Sequence, residues 1–272
     1  MTEQLYCFGL LQSGKAPTTL SNAHPFKLPT TVKTGDFEAI VSSIDVTELP
    51  PKRRFLRAQA SLLEGLGGTC TILPMRFGTI APSVEALRDA VGRNATRIAE
   101  LFEMLEGCQE YGVSIRMSQA AMFNAALSAN RELRERRDDL ARRGSVDTMT
   151  AMRFGQQLSD AAAALRRRHE KALDRFLRGV VRDLILRAPE SEAELLRADI
   201  LVQKDCSGAL DALLERIESG GQPSIDGRSG QDLPVDIRLI GPAPVYSFAS
   251  CTLDFHHHSD HCDSVQASVR PN

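Results

Sequence analysis

Between Ser118 and Arg187 the chain holds no proline, and alanine, leucine and arginine dominate. Residues of high helix propensity leave such a stretch little choice but long helices, with a break near Arg143–Ser145, where Gly144 stands beside a possible cap at Ser145. The first helix interleaves Arg131, Arg134, Arg136, Arg137, Arg142 and Arg143 with Glu132, Glu135, Asp138 and Asp139. Mixed signs at this spacing support the helix rather than form a polycation. In the second, Leu158, Ala162, Leu165, His169, Ala172, Phe176, Val180 and Leu184 recur every three or four residues. Continuous from Met149 to Leu186, it would be roughly 55 Å long, more than one small sheet can cover. The stripe therefore needs a partner, either a helical hairpin in the same chain or another protein along part of it. Its opposite face is basic, from Arg166 to Arg187, but no base-reading module accompanies it, so nucleic acid is not an expected partner.

Shorter apolar runs flank this region. Leu5–Leu11 and Phe37–Ile44 read as strands. A helix is expected from Arg53 to Leu66, with Phe55, Leu56, Gln59, Leu62, Leu63 and Leu66 along one side. Thr69–Leu73 reads as a buried strand that delivers Arg76 past Pro74 to an edge or junction. Ser83 caps a helix that continues to Leu105 with a weak turn near Asn94, and Tyr111–Met117 gives another strand. Short strands joined by amphipathic helices suit a two-layer, modified ferredoxin-like unit. Beyond Pro189, Ile200–Val202 reads as a strand, Ala209–Ile217 as a helix and Val235–Ile240 as a strand of a second small sheet. In the following GPAPVYSF, Gly241, Pro242 and Pro244 disrupt ladder pairing, with Tyr246 and Phe248 on one side. The expected divisions are 1–117, the helical region 118–188, 189–253, and a His-rich tail 254–272.

With 272 residues, 42% of them hydrophobic, the chain can build substantial cores. A net charge of -2 gives no global attraction to nucleic acid, and the absence of tryptophan leaves no obvious stacking platform. Six scattered cysteines without a CxxC pair fit buried thiols in a reducing compartment. No secretory signal and no membrane-spanning apolar run are present, so a soluble cytoplasmic protein that does not enter a lipid membrane is expected. Phosphate-binding loops, a GxSxG elbow and an HExxH helix are all absent, and no catalytic residue is assigned. His256, His257, His258, His261, Cys262, Asp254, Asp260 and Asp263 are competent metal ligands, but a terminal tract lacks an evident scaffold. Neither a cofactor nor a metal site is assigned; a metal-dependent activity of this tail stands as an alternative.

The segments LYCFGLL at 5–11, FEAIVSSI at 37–44, ILPMRFGTI at 72–80, GCQEYGVSIRM at 107–117 and LIGPAPVYSF at 239–248 together resemble the gas vesicle accessory proteins of the F/L type. PMRFGT and GPAPVYSF are the specific pair. The resemblance implies an α+β fold of two modified ferredoxin-like domains with a long helical insertion. It also implies a non-enzymatic, cytoplasmic protein of gas vesicle assembly, whose partners are the small hydrophobic shell protein and other accessory proteins. A minor component retained in the shell is the alternative. Motif residues carried over are Pro74, Arg76, Phe77, Gly78, Glu110, Gly112, Gly241, Pro242, Tyr246 and Phe248, with Arg76 and Glu110 a possible pair across a domain junction. Arg76, Phe77, Glu110, Arg116, Tyr246, Phe248, Phe176 and Val180 are the candidates for partner binding or a domain junction. Two departures stand out: Gln59–Ala60 where family members often carry histidine, and Ala243 and Val245 in place of a bulky aromatic and a proline.

Overall fold

The computed structural model describes residues 4–219, 234–249 and 252–255. The fold is α+β, with two antiparallel sheets and a long helical insertion. The chain divides into two compact units: one is built from the described parts of 1–65, 75–100 and 251–272, the other from 66–74 and the described parts of 101–250.

The first sheet starts with β1 (Gln4–Gln12), β2 (Thr30–Thr34) and β3 (Phe37–Ile44). There follow α1 (Arg53–Gly67), the two-residue strands β4 (Leu73–Pro74) and β5 (Ile80–Ala81), then α2 (Val84–Arg93) and α3 (Ala95–Leu105). Strand order is β2-β3-β1-β4, with β5 also pairing β1. Leu5 through Leu11 are buried without alternation, as expected of an inner strand covered on both faces. The polar, half-exposed TTVKT of β2 has no apolar periodicity and gave no strand signal in the sequence. The strand expected over Thr69–Leu73 shrinks to Leu73–Pro74. Both Thr69 N and Cys70 N donate to Leu66 O at the end of α1, at 3.0 and 2.9 Å, and are lost to the ladder. Asn94 separates α2 from α3, and its Nδ2 donates to Ala90 O at 2.8 Å.

The second sheet uses β6 (Cys108–Arg116), β7 (Asp183–Leu186), β8 (Glu194–Gln203) and β9 (Asp236–Ala243) in the order β7-β8-β6-β9. Helices α4 (Gln119–Ala129), α5 (Arg131–Arg142) and α6 (Thr148–Arg178) lie between β6 and β7, and α7 (Ser207–Glu218) lies between β8 and β9. Numbered within this unit, the strands run fourth, first, third, second, all antiparallel, which is the ferredoxin-like order. Two sequence expectations change as a result. The strand read at Tyr111–Met117 as the last of an N-terminal unit is an inner strand of the second sheet. The helical region is the first crossover inside that unit. Val113 and Ile115 of β6 join Leu173 and Leu177 of α6 and Leu210 and Ile217 of α7 in one buried core.

The long helix also ends earlier than its apolar period suggested. It spans 31 residues, roughly 46 Å. Val180 N and Val181 N both bond to Leu177 O, the chain turns, and Asp183–Leu186 becomes strand β7. Val181 and Leu184 still reach the core, so their spacing mimicked a continued helix. Asp147, rather than Ser145, caps α6 by accepting from Thr150 N at 2.9 Å, a bond that lowers the pKa of its carboxyl.

The prolines of GPAPVYSF do not stop β9. Glu110 faces Ala243 and Gly112 faces Ile240, so Gly241 and Pro242 together oppose Tyr111 in a bulge that carries the missing donor. Pro244 then leads into a turn closed by Ala249 N to Val245 O at 2.9 Å, and the expected common side is lost: Tyr246 is 43% exposed, Phe248 6%. Gly241 has φ +147°, and a Cβ there would lie 2.6 Å from Tyr111 Cδ1 and 2.9 Å from Glu110 O. Gly241→Ala should therefore destabilise the fold by about 2–4 kcal/mol, read as a lower midpoint in urea unfolding.

Candidate functional site

In the first unit, residues 75–79 form a turn hung from β1. Met75 N donates to Phe8 O at 2.8 Å and Cys7 N donates to Thr79 O at 2.9 Å. Gly78 has φ +86°, a conformation that favours glycine, and Thr79 Oγ1 donates to Arg76 O at 2.7 Å. Behind the turn, Tyr6 Oη donates to Gln59 Oε1, Gln59 Nε2 donates to Met75 O at 2.9 Å, and Gly78 N donates to Tyr6 Oη at 3.3 Å. Tyr6 is fully buried and Gln59 nearly so. An amide donates and accepts at once with no change of charge, which is what this dry position between a hydroxyl and a carbonyl requires. The turn leaves Arg76 exposed and sets half-buried Phe77 with its ring 6.0 Å from that of Tyr6. Phe8, Phe26 and Phe55 extend the aromatic cluster. A polar residue on an apolar helical stripe was the sequence signal for Gln59. Leu56, read on the same stripe, is 42% exposed.

In the second unit, buried Glu110 projects from β6 against the turn that follows β9. Ser247 N lies 2.9 Å from Glu110 Oε2, and Ser247 Oγ lies 2.7 Å from Glu110 Oε1. The same Oγ lies 2.7 Å from Asp199 Oδ2, while Arg187 contacts Asp199 through Nε at 2.6 Å and Ser247 Oγ through Nη2 at 3.0 Å. Burial raises the pKa of Glu110; the Ser247 bonds oppose this, the Asp199 charge adds to it, and Arg187 opposes it. Asp199 and Ser247 were not singled out in the sequence, and Arg187 was read there only as the end of a basic helical face. Asp199, a charge inside the apolar ADILV run, was the available clue.

The remaining candidates divide by exposure. Arg116 is exposed at the end of β6, in register with Glu194 and Asp236. Phe176 and Val180 pack against the core of their own unit, with the Arg216 guanidinium 4.4 Å above the Phe176 ring. Phe248 is buried and Tyr246 projects from the turn. Among the described residues no group of three or more His, Cys, Asp or Glu is placed to hold a metal ion, and no helix is long and apolar enough to cross a membrane. The tail ligands from His256 onward lie outside the described residues.

Two outcomes follow from the first unit. Tyr6→Phe removes the donor to Gln59 Oε1 and should cost about 1–3 kcal/mol, measured by equilibrium unfolding. Burial pushes the Cys7 thiol up to about 12. Native protein alkylated in mildly alkaline buffer should thus carry no label at Cys7 by mass spectrometry while the partly exposed Cys70 is modified, and Cys7 should react once the chain is unfolded.

Known proteins share this fold. Crystal structures of gas vesicle protein GvpF from Anabaena sp. PCC7120 and from Microcystis aeruginosa superpose with TM-scores of 0.71 and 0.64 at 20% and 19% identity. They cover 92% and 91% of this chain, which in turn covers 100% and 99% of theirs, so the fold is common to all three. Gas vesicle protein F of Streptomyces sp. (strain CB03234) is 25% identical over 214 residues, 79% of this chain and 84% of that protein. Gas vesicle protein F of Microcystis aeruginosa (strain PCC 7806) is 26% identical over 137 residues, 49% of this chain and 55% of that protein. The family model described as gas vesicle synthesis protein GvpL/GvpF matches residues 4–250, which include both sheets, the 75–79 turn and the Glu110 cluster, and the chain belongs to that family.

Proposed function

We propose that this chain is a non-enzymatic, cytoplasmic assembly factor that binds the small hydrophobic shell protein of gas vesicles and holds it ready for incorporation, alongside other accessory proteins. The observation that carries this reading is the outer strand of the second sheet. Strand β9 pairs only β6 among the described residues, and it exposes 57% of Ile240 and 36% of Leu239. An edge with unpaired backbone groups and apolar side chains suits the addition of an extended, apolar segment from a partner. The long helix is the weaker candidate surface, because Leu173, Leu177 and Phe176 are engaged with their own core, as is Val180 just beyond its end. Its large exposed apolar residues are Met149 and Met152, near its start. Arg76, Phe77, Arg116 and Tyr246 are further candidate contacts in this reading, with Glu110 and Phe248 supporting the turn that presents Tyr246.

Purified chain should capture soluble shell protein, and Ile240→Asp should weaken capture at least tenfold without lowering the thermal midpoint. The chain should also wash off intact vesicles with loosely bound proteins. Stable retention would favour the alternative, a minor shell component. Failure to engage any vesicle component, together with normal vesicles in cells lacking the chain, would overturn both. Vesicle formation after deletion of 254–263 would exclude an essential metal centre in the tail.

A further inference from the structure

Ser247 Oγ makes two short oxygen contacts, to Glu110 Oε1 and to Asp199 Oδ2, both 2.7 Å, but its hydroxyl carries one hydrogen. If both carboxyls were ionised, one of these contacts would set lone pairs against lone pairs at hydrogen-bond distance. A second proton is required, and the charges nearby decide which carboxyl holds it. Asp199 is paired with the guanidinium of Arg187, whose Nε lies 2.6 Å from Oδ2. Among the described residues no cation is in hydrogen-bond contact with Glu110. Its register neighbours are Leu201 on β8 and Ala243 on β9, and the charged groups that reach it electrostatically are Asp199 and Arg187.

We propose that Glu110 carries a proton in the folded protein and that this proton latches the Val245–Ala249 turn to β6. Every bond of the cluster then has a direction. Glu110 Oε1–H donates to Ser247 Oγ, whose own hydrogen goes to Asp199 Oδ2. Arg187 Nη2 also donates to Ser247 Oγ, and Ser247 N–H donates to the Glu110 Oε2 carbonyl oxygen. Removing the proton sets a second negative charge, buried on Glu110, against the partly exposed Asp199 across one hydroxyl and loosens the turn that presents Tyr246. Desolvation of Glu110, which favours its neutral form, acts in the same direction.

The sign of the pH dependence follows. With a folded pKa above the ordinary 4.5, Glu110 is protonated in the native chain and ionised in the unfolded one at intermediate pH. The latch contributes fully below about 4.5 and is lost as pH rises through the folded value. Glu110→Gln copies the neutral acid, with an N–H for Ser247 Oγ and a C=O for Ser247 N. Thermal midpoints of wild type and E110Q, taken from about pH 5 to about pH 9, isolate Glu110 because all other groups titrate in both. The midpoint of E110Q should equal or exceed that of wild type at high pH, with the difference shrinking toward low pH. A deficit of E110Q that widens as pH rises would overturn the latch. Independently of that variant's folding, the Glu110 carboxyl in wild type, followed by carbon-13 NMR, should titrate above the ordinary value. A midpoint at or below the ordinary value would overturn it equally. Neither readout involves shell protein, so failure here and failure of the assembly reading are distinguishable.

Discussion

Strand β6 is hydrogen-bonded along both edges, to β8 from Cys108 to Arg116 and to β9 from Glu110 to Arg116. An inner strand has no water to satisfy its amides and carbonyls, so both partners must arrive in register or the unit cannot close. Much of the rest follows from this demand. The helices after β6 must bring the chain back to the sheet, and α6 does so by ending near Gly179, where β7 can begin. Strand β9 must pass two prolines, and the bulge opposite Tyr111 lets it do so while keeping its remaining bonds. Gly241 is the residue without which that bulge would strike the backbone of Glu110.

Two polar side chains in dry surroundings are handled differently. Gln59 joins a tyrosine hydroxyl to a backbone carbonyl with an amide that does not itself ionise. Glu110 does a comparable job for the turn after β9, but with a group whose charge depends on its surroundings. Buried polar networks fix one geometry when every member is satisfied and become costly when one is not. Both networks tie an irregular turn to an inner strand, and in both the turn carries an outward residue: Arg76 in one, Tyr246 in the other.

What the sequence made legible was whatever depends on apolar pattern and propensity. The extent of β3, the start of α1 and the cap at Ser83 were all readable, because inner strands are continuously apolar and helix starts carry their own chemistry. Sheet membership was not. Nothing local in GCQEYGVSIRM says whether its partners precede it or come from residues 194–243, and the second arrangement is the real one. The polar strand β2 was silent for the opposite reason, since an exposed edge strand needs no apolar face. Of the Glu110 cluster, the glutamate and the turn were visible as separate motifs. Their connection through Ser247, Asp199 and Arg187 depends on packing between distant segments.

The first unit is not one unbroken length of chain. Thr252–Phe255 belongs to it: Leu253 is buried, Arg93 Nη2 of α2 donates to Asp254 O at 2.7 Å, and Phe255 lines a shallow hollow with Ala86, Asp89 and Arg93. A fragment cut after the first hundred or so residues would keep β1 to β5 and α2 yet lose the Arg93–Asp254 hydrogen bond and the Phe255 contact. During synthesis, the portion made first must therefore wait for residues beyond 250 before its surface is complete.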